Sequence, residues 1–157
     1  MSEKKQKGYP QEIYKKILKI LRQRYGNKVK TNTQLDKIGD EYFGGVYNGT
    51  YSWDKYPIDK LPEYSFAIIN TDKSDQGGEH WVAIHKYKNK IYVYDSFGRH
   101  TKNLLKNFNK MVKGAGCDVI DAEYDAEQND NQEDCGIRCI AFLLIVKAMG
   151  IKSALTI

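Results

Sequence analysis

The sequence predicts an α+β fold, a small, mainly antiparallel sheet with an apolar helix packed against it. Three observations lead there. Residues 11–25 carry Ile13, Tyr14, Ile17, Leu18, Ile20 and Leu21 at helical spacing. Two strand-like runs, 81–87 and 90–95, are separated only by Lys88-Asn89, which marks an antiparallel hairpin. Cys135-Gly136 opens the run 137–146, which is apolar enough for a buried helix although Arg138 interrupts it.

In chain order, residues 1–9 read as a loose basic tail. Pro10 suits a first helical turn, and Gly26-Asn27 ends an amphipathic helix whose Lys and Arg side chains face outward. Residues 33–38 form a short second helix capped by Thr31 or Thr33. The aromatic, glycine-rich stretch 42–51 is an irregular segment with one edge strand, and it either lines a peptide groove or covers the core. The run 64–70 is a strand and 71–78 a loop before the hairpin. Residues 101–112 place Leu104, Leu105, Phe108, Met111 and Val112 on one helical face, stopped by Gly114. Residues 118–124 are a fourth strand, and the apolar helix runs to about Met149.

At 157 residues, with 41% apolar side chains and 12 tyrosines, the chain is read as one domain, 1–157, able to bury an ordinary core. Its first residues are polar and basic, unlike a secretory signal, and the longest apolar run falls well short of the roughly 20 residues a bilayer span needs. The expected location is therefore intracellular, with no membrane contact. Three cysteines argue for free thiols rather than a disulfide framework. In that setting Asn48-Gly49-Thr50 reads as a turn rather than a glycan site. Residues 1–30 hold ten basic and two acidic side chains, +8 of a net charge of +5, so the remainder is −3. This basic end is either a footprint for DNA or another polyanion, or a solvated helix face.

Cys135 at a helix start, taken alone, is more often a buried structural thiol, but the position also suits nucleophilic chemistry, because unpaired N–H groups and the helix dipole favour a thiolate there. Asp134 is a candidate cap, and Gly136 permits close approach of another backbone. His80 begins one strand of the hairpin and Asp95 ends its partner, so antiparallel pairing can set imidazole and carboxylate side by side. A thiol needs a base, and the base an orienting partner. Gln128, on the loop leading to Cys135, offers an amide donor for an oxyanion. Metal binding is a poor alternative, since there is no CxxC, no HxxxH and no third ligand at a recognisable spacing. Cys139 is most simply a core residue.

Together Asn70-Thr71, Gly77-Gly78-Glu79-His80-Trp81-Val82-Ala83, Tyr92-Val93-Tyr94-Asp95-Ser96-Phe97-Gly98, Gln128 with Asn131, and Cys135-Gly136 resemble the adenovirus protease (adenain) family. That family shares a clan of cysteine peptidases with the ubiquitin-like-protein proteases. The resemblance reaches upstream to Leu35 and covers about two-thirds of the chain. It implies a fold that is papain-like in the broad sense. Cys135 would be nucleophile, His80 general base and then acid, Asp95 the histidine-orienting acid, and Gln128 the oxyanion donor. Trp81 is expected beside the His–Asp pair, limiting water. Gln128 lies seven residues before Cys135, as in the viral branch, whereas the competing Gln132 has a spacing that fits neither branch; Asp95 stands where the viral branch has Glu and the ubiquitin-like-protein proteases have Asp.

The resemblance further implies a viral maturation protease that cuts capsid precursors at glycine-containing motifs. It would act in the host nucleus or a cytoplasmic viral factory and be packaged in the virion; a monomer is the default expectation. No cofactor is required for the chemistry. DNA is one family activator, to which residues 1–30 could respond. A viral peptide is another, joined by a disulfide for which Cys117, eighteen residues before Cys135, is the counterpart; alternatively Cys117 is an ordinary strand-edge thiol. Two other readings stand beside this one: a ubiquitin-like-protein protease, and a catalytically silent module that binds nucleic acid or a partner.

Overall fold

The computed structural model describes residues 8–71, 80–99, 101, 105–123 and 134–157. Five strands form one sheet in chain order: β1 (Tyr47–Ser52), β2 (Tyr64–Asn70), β3 (Trp81–Tyr87), β4 (Lys90–Tyr94) and β5 (Asp118–Asp121). β2, β3 and β4 are antiparallel, but β1 runs parallel to β2 and β5 parallel to β4. The sheet is therefore mixed rather than mainly antiparallel. The connections explain this, because a parallel neighbour requires a crossover. Helix α3 (Lys106–Gly114) supplies one between β4 and β5, and two short 3₁₀ turns, Trp53–Lys55 and Ile58–Lys60, supply the other.

Side chains alternate across the central strands. Phe66, Ile68, Ala83 and Tyr94 face one core, and Ala67, Ile69, Val82, Ile84, Ile91 and Val93 the other. The first face carries α1 (Tyr9–Tyr25), α2 (Asn32–Phe43), α4 (Cys135–Met149) and the short α5 (Ile151–Ala154); the second carries α3 and the 3₁₀ turns. Burial on both faces is why β2 to β4 read as nearly continuous apolar runs. Helix α4 is the centre of the first core: every residue from Cys135 to Leu143 is buried. It packs on α1, β3, α2 and β2.

Helix α2 is longer than the sequence suggests, because Tyr42 and Phe43 close it instead of opening a loop. A capping box starts it, with the Gln34 amide N–H donating to the Thr31 hydroxyl and the Thr31 N–H donating to the Gln34 side chain. Asn48-Gly49-Thr50 lies within β1, where the register shifts between Tyr47 and Thr50, rather than in a turn. Among the described residues, no helix is long and apolar enough to cross a membrane.

Two side chains make this packing testable. A Cβ on Gly39 would come within 2.5 Å of the Tyr47 ring, itself stacked on Phe43. Alanine in a helix ordinarily gains about 1 kcal/mol over glycine. Here the overlap costs about 1–3 kcal/mol, so Gly39→Ala should lower the urea midpoint instead of raising it.

His85 lies among the Tyr64, Phe66, Tyr87 and Tyr92 rings, with its Nδ1 3.1 Å from the Ser65 carbonyl. Burial pushes its pKa down to about 4, against the opposing pull of that backbone hydrogen bond. As pH falls from its ordinary 6.5 towards 4, the unfolded chain takes a proton that the folded one refuses. Stability should fall across this window, by up to about 3 kcal/mol. Urea titrations of wild type and His85→Phe should show that slope only in wild type.

Candidate active site

The hairpin places His80 and Asp95 together. Register carries Ala83 opposite Tyr94, so the residues just outside the ladder, His80 on one strand and Asp95 to Phe97 on the other, face each other. His80 Nε2 lies 2.7 Å from Asp95 Oδ1, and the Phe97 ring covers the imidazole with centroids 4.9 Å apart. Asp95, 2% exposed, also accepts from the Phe97 backbone N–H (3.0 Å) and from Arg99 Nε (2.8 Å). Three donors thus fix its carboxylate.

The Cys135 side chain is close enough to His80 to favour its charged form. Because Asp95 occupies Nε2, the nitrogen left for the thiol is Nδ1. Cys135, 3% exposed, is the first residue of α4. The first backbone bond there runs from Arg138 N to Asp134 O, so the N–H groups of Cys135, Gly136 and Ile137 precede the helical ladder. A Cβ on Gly136 would lie 3.0 Å from Leu35 Cδ2. The glycine therefore admits a side chain of α2 rather than a second backbone. Trp81 is buried beside His80, its indole N–H donating to the Lys30 carbonyl at 2.9 Å.

Asp134 occupies the N-cap position but makes no side-chain cap bond. Its carboxylate binds Arg22 and Arg138 instead. Arg22 accordingly turns inward from α1, which corrects the expectation that every basic side chain of that helix faces water. Neither this pairing nor Arg99 on Asp95 is read from the sequence. Arg99 and Arg138 do stand four residues after their carboxylates, a spacing that could have suggested them, whereas Arg22 left no such signal.

Of the other expected site residues, Gln128 lies outside the described residues, as do Gly77, Gly78, Asn131 and Gln132. Cys117 is a free thiol, 8% exposed, in the core on the opposite face of the sheet from Cys135. Cys139 is fully buried, and burial pushes its pKa up. Among the described residues no group of three His, Cys, Asp or Glu side chains could hold a metal ion.

Burial opposes a charge on His80, but the hydrogen bond to Asp95 and the neighbouring Cys135 outweigh it and hold the imidazole above its ordinary value of 6.5. Burial also opposes ionisation of Asp95, and the donors His80, Arg99 and Phe97 overcome it, so the carboxyl sits below its ordinary 3.8. The signs follow by linkage. His80 contributes stability in full below pH 6.5, lost as pH rises through its raised value; Asp95 contributes above 3.8, lost as pH falls through its lowered value.

A helix-start thiol near an imidazole whose Nε2 is held by a buried carboxylate is the kind of arrangement a cysteine peptidase uses. The family can be named as well. A family model described as adenovirus endoprotease matches residues 43–153, and the chain belongs to that family. Among its relatives, the protease of bovine adenovirus C serotype 10 is 30% identical over 119 residues, covering 68% of this chain and 54% of the relative. The bovine adenovirus 2 protease is 30% identical over 113 residues, 65% and 53%. The ovine adenovirus D serotype 7 protease is 33% identical over 89 residues, 49% and 44%. The chain spans about half the length of the curated relatives it matches.

The His80 ring can be followed by NMR. Its titration midpoint should lie above 6.5 in the wild type and drop in Asp95→Asn, because the neutral amide no longer favours imidazolium. An unchanged midpoint would remove Asp95 as the group that sets it.

Proposed function

We propose that the chain is a cysteine endopeptidase of virus maturation, cutting structural precursor proteins at glycine-containing motifs. The observation that carries this reading is His80, its Nε2 2.7 Å from the buried Asp95 carboxylate and its charged form favoured by the neighbouring Cys135 side chain at the start of α4. In the reaction, Nδ1 of His80 takes the Cys135 proton as the sulfur attacks the scissile carbonyl. Backbone N–H groups at the start of α4 and the Gln128 amide stabilise the oxyanion. The imidazolium then protonates the leaving amine, and a water molecule activated by His80 hydrolyses the thioester. Asp95 orients the ring and stabilises its charged form.

The exposed Lys15, Lys16 and Lys19 of α1 form a face to which DNA can bind as an activator. Activation by a viral peptide joined at Cys117 is a secondary part of the proposal, since that thiol is free but buried and must first be uncovered. The enzyme acts as a single-domain monomer inside the infected cell, in the nucleus or a viral factory, and within the virion. One residue favours a second reading, a ubiquitin-like-protein protease: Asp95, where the viral branch has Glu.

Two fluorogenic substrates decide between them, a glycine-containing capsid-type peptide and a ubiquitin-like-protein conjugate, each with wild type and Cys135→Ala, with and without DNA. Cleavage of the peptide by wild type only, stimulated by DNA, is expected. Cleavage of the conjugate alone would favour the second reading. If neither is cut and Cys135 reacts with iodoacetamide no faster than an ordinary thiol, the peptidase assignment fails.

A further inference from the structure

A buried polar chain touches both halves of the site. Asp134, 2% exposed, stands immediately before Cys135. Its Oδ2 accepts from Arg22 Nε at 2.7 Å and Nη2 at 2.6 Å, and its Oδ1 from Arg138 Nε at 3.0 Å. Arg138 Nη1 donates to the Tyr14 hydroxyl at 3.4 Å, and the Tyr14 and Tyr94 hydroxyls share a hydrogen bond of 2.7 Å. Tyr94 stands immediately before Asp95. The chain thus begins one residue from the thiol and ends one residue from the carboxylate that holds the imidazole.

Stability alone is a weak account of this arrangement. Withdrawing a carboxylate and a guanidinium from water costs several kcal/mol per ion, and a buried pair often does no more than recover that cost. An exposed Ser or Asn would cap α4 without it. What the network does provide is direction. Arg22 grips one oxygen with two nitrogens, a planar geometry that a point charge could not impose. Tyr14 bridges the helix that bears the thiol and the strand that leads to Asp95.

We propose that Asp134, Arg22 and Tyr14 are positioning residues, through which α1, outside the segment matched by the family model, sets the placement of Cys135 against the His80–Asp95 pair. This rests on Cys135 being the nucleophile. None of the three residues touches the reacting atoms; each acts through the backbone beside them.

The test uses the full chain with Tyr14→Phe, Arg22→Gln and Arg22→Lys. Tyr14→Phe keeps the ring packed edge-on against Tyr94 and removes only the hydroxyl, and Arg22 is partly exposed, so its variants can fold. The readout is the rate of alkylation of Cys135 by iodoacetamide, located by peptide mass, well below each variant's thermal midpoint. Tyr14→Phe and Arg22→Gln should slow it by about tenfold or more, and Arg22→Lys, which keeps the charge without the fork, should recover part of the loss. Unchanged rates with lowered midpoints would mean that the network only stabilises the fold, overturning this inference while the nucleophile stands. A wild-type Cys135 no more reactive than free cysteine would overturn both.

Discussion

A carboxylate gripped by two arginines at both oxygens is held in direction as well as in place, and at Asp134 that grip fixes the head of a helix buried along its first turns. The rest of the site depends on it. A buried helix has no amphipathic face to tell it how far to rotate about its axis, and apolar contacts tolerate small slides because they lack direction. The ion pairs remove that freedom at the end where Cys135 stands. Gly136 adds a steric limit, since a Cβ there would lie 3.0 Å from Leu35 Cδ2 and press against it.

The other half of the site is fixed by the sheet. The two-residue Lys88-Asn89 connection sets the hairpin register, and the register carries His80 and Asp95 to the same end. Asp95 is then prevented from turning by Arg99 and the Phe97 N–H, so its bond to the imidazole needs no rearrangement. Stacking of Tyr94 on Phe142, with centroids 4.5 Å apart and planes 9° from parallel, presses strand and helix together directly behind the site.

Much of this is legible in the sequence. β2 and β3 were bounded correctly because apolar and β-branched runs end at polar residues, and the hairpin was visible in its short turn. The apolar run after Cys135 likewise marked α4. Strand direction in β1 and β5 was not legible, because it is decided by the connecting segments and not by the strands' own side chains. The 42–51 stretch misled in part, since Tyr42 and Phe43 belong to α2 and only the glycines after them break the helix. Asp134 followed a sound capping rule that lost to a stronger interaction: a charged carboxylate prefers a guanidinium fork to a single backbone N–H. Arg22 is 112 residues away, and no local pattern announces a partner at that distance.

The late place of α4 in the chain has a consequence for biosynthesis. The side chains that complete the first core, from Ile137 to Val146, follow α1, α2, α3 and all five strands. A chain that ends at β5 lacks the α4 side chains that share a core with Leu18, Leu35, Phe66 and Ile68, and apolar surface left open in this way favours aggregation. The thiol and the imidazole come from opposite sides of that point. The central helix must be made before the two can meet.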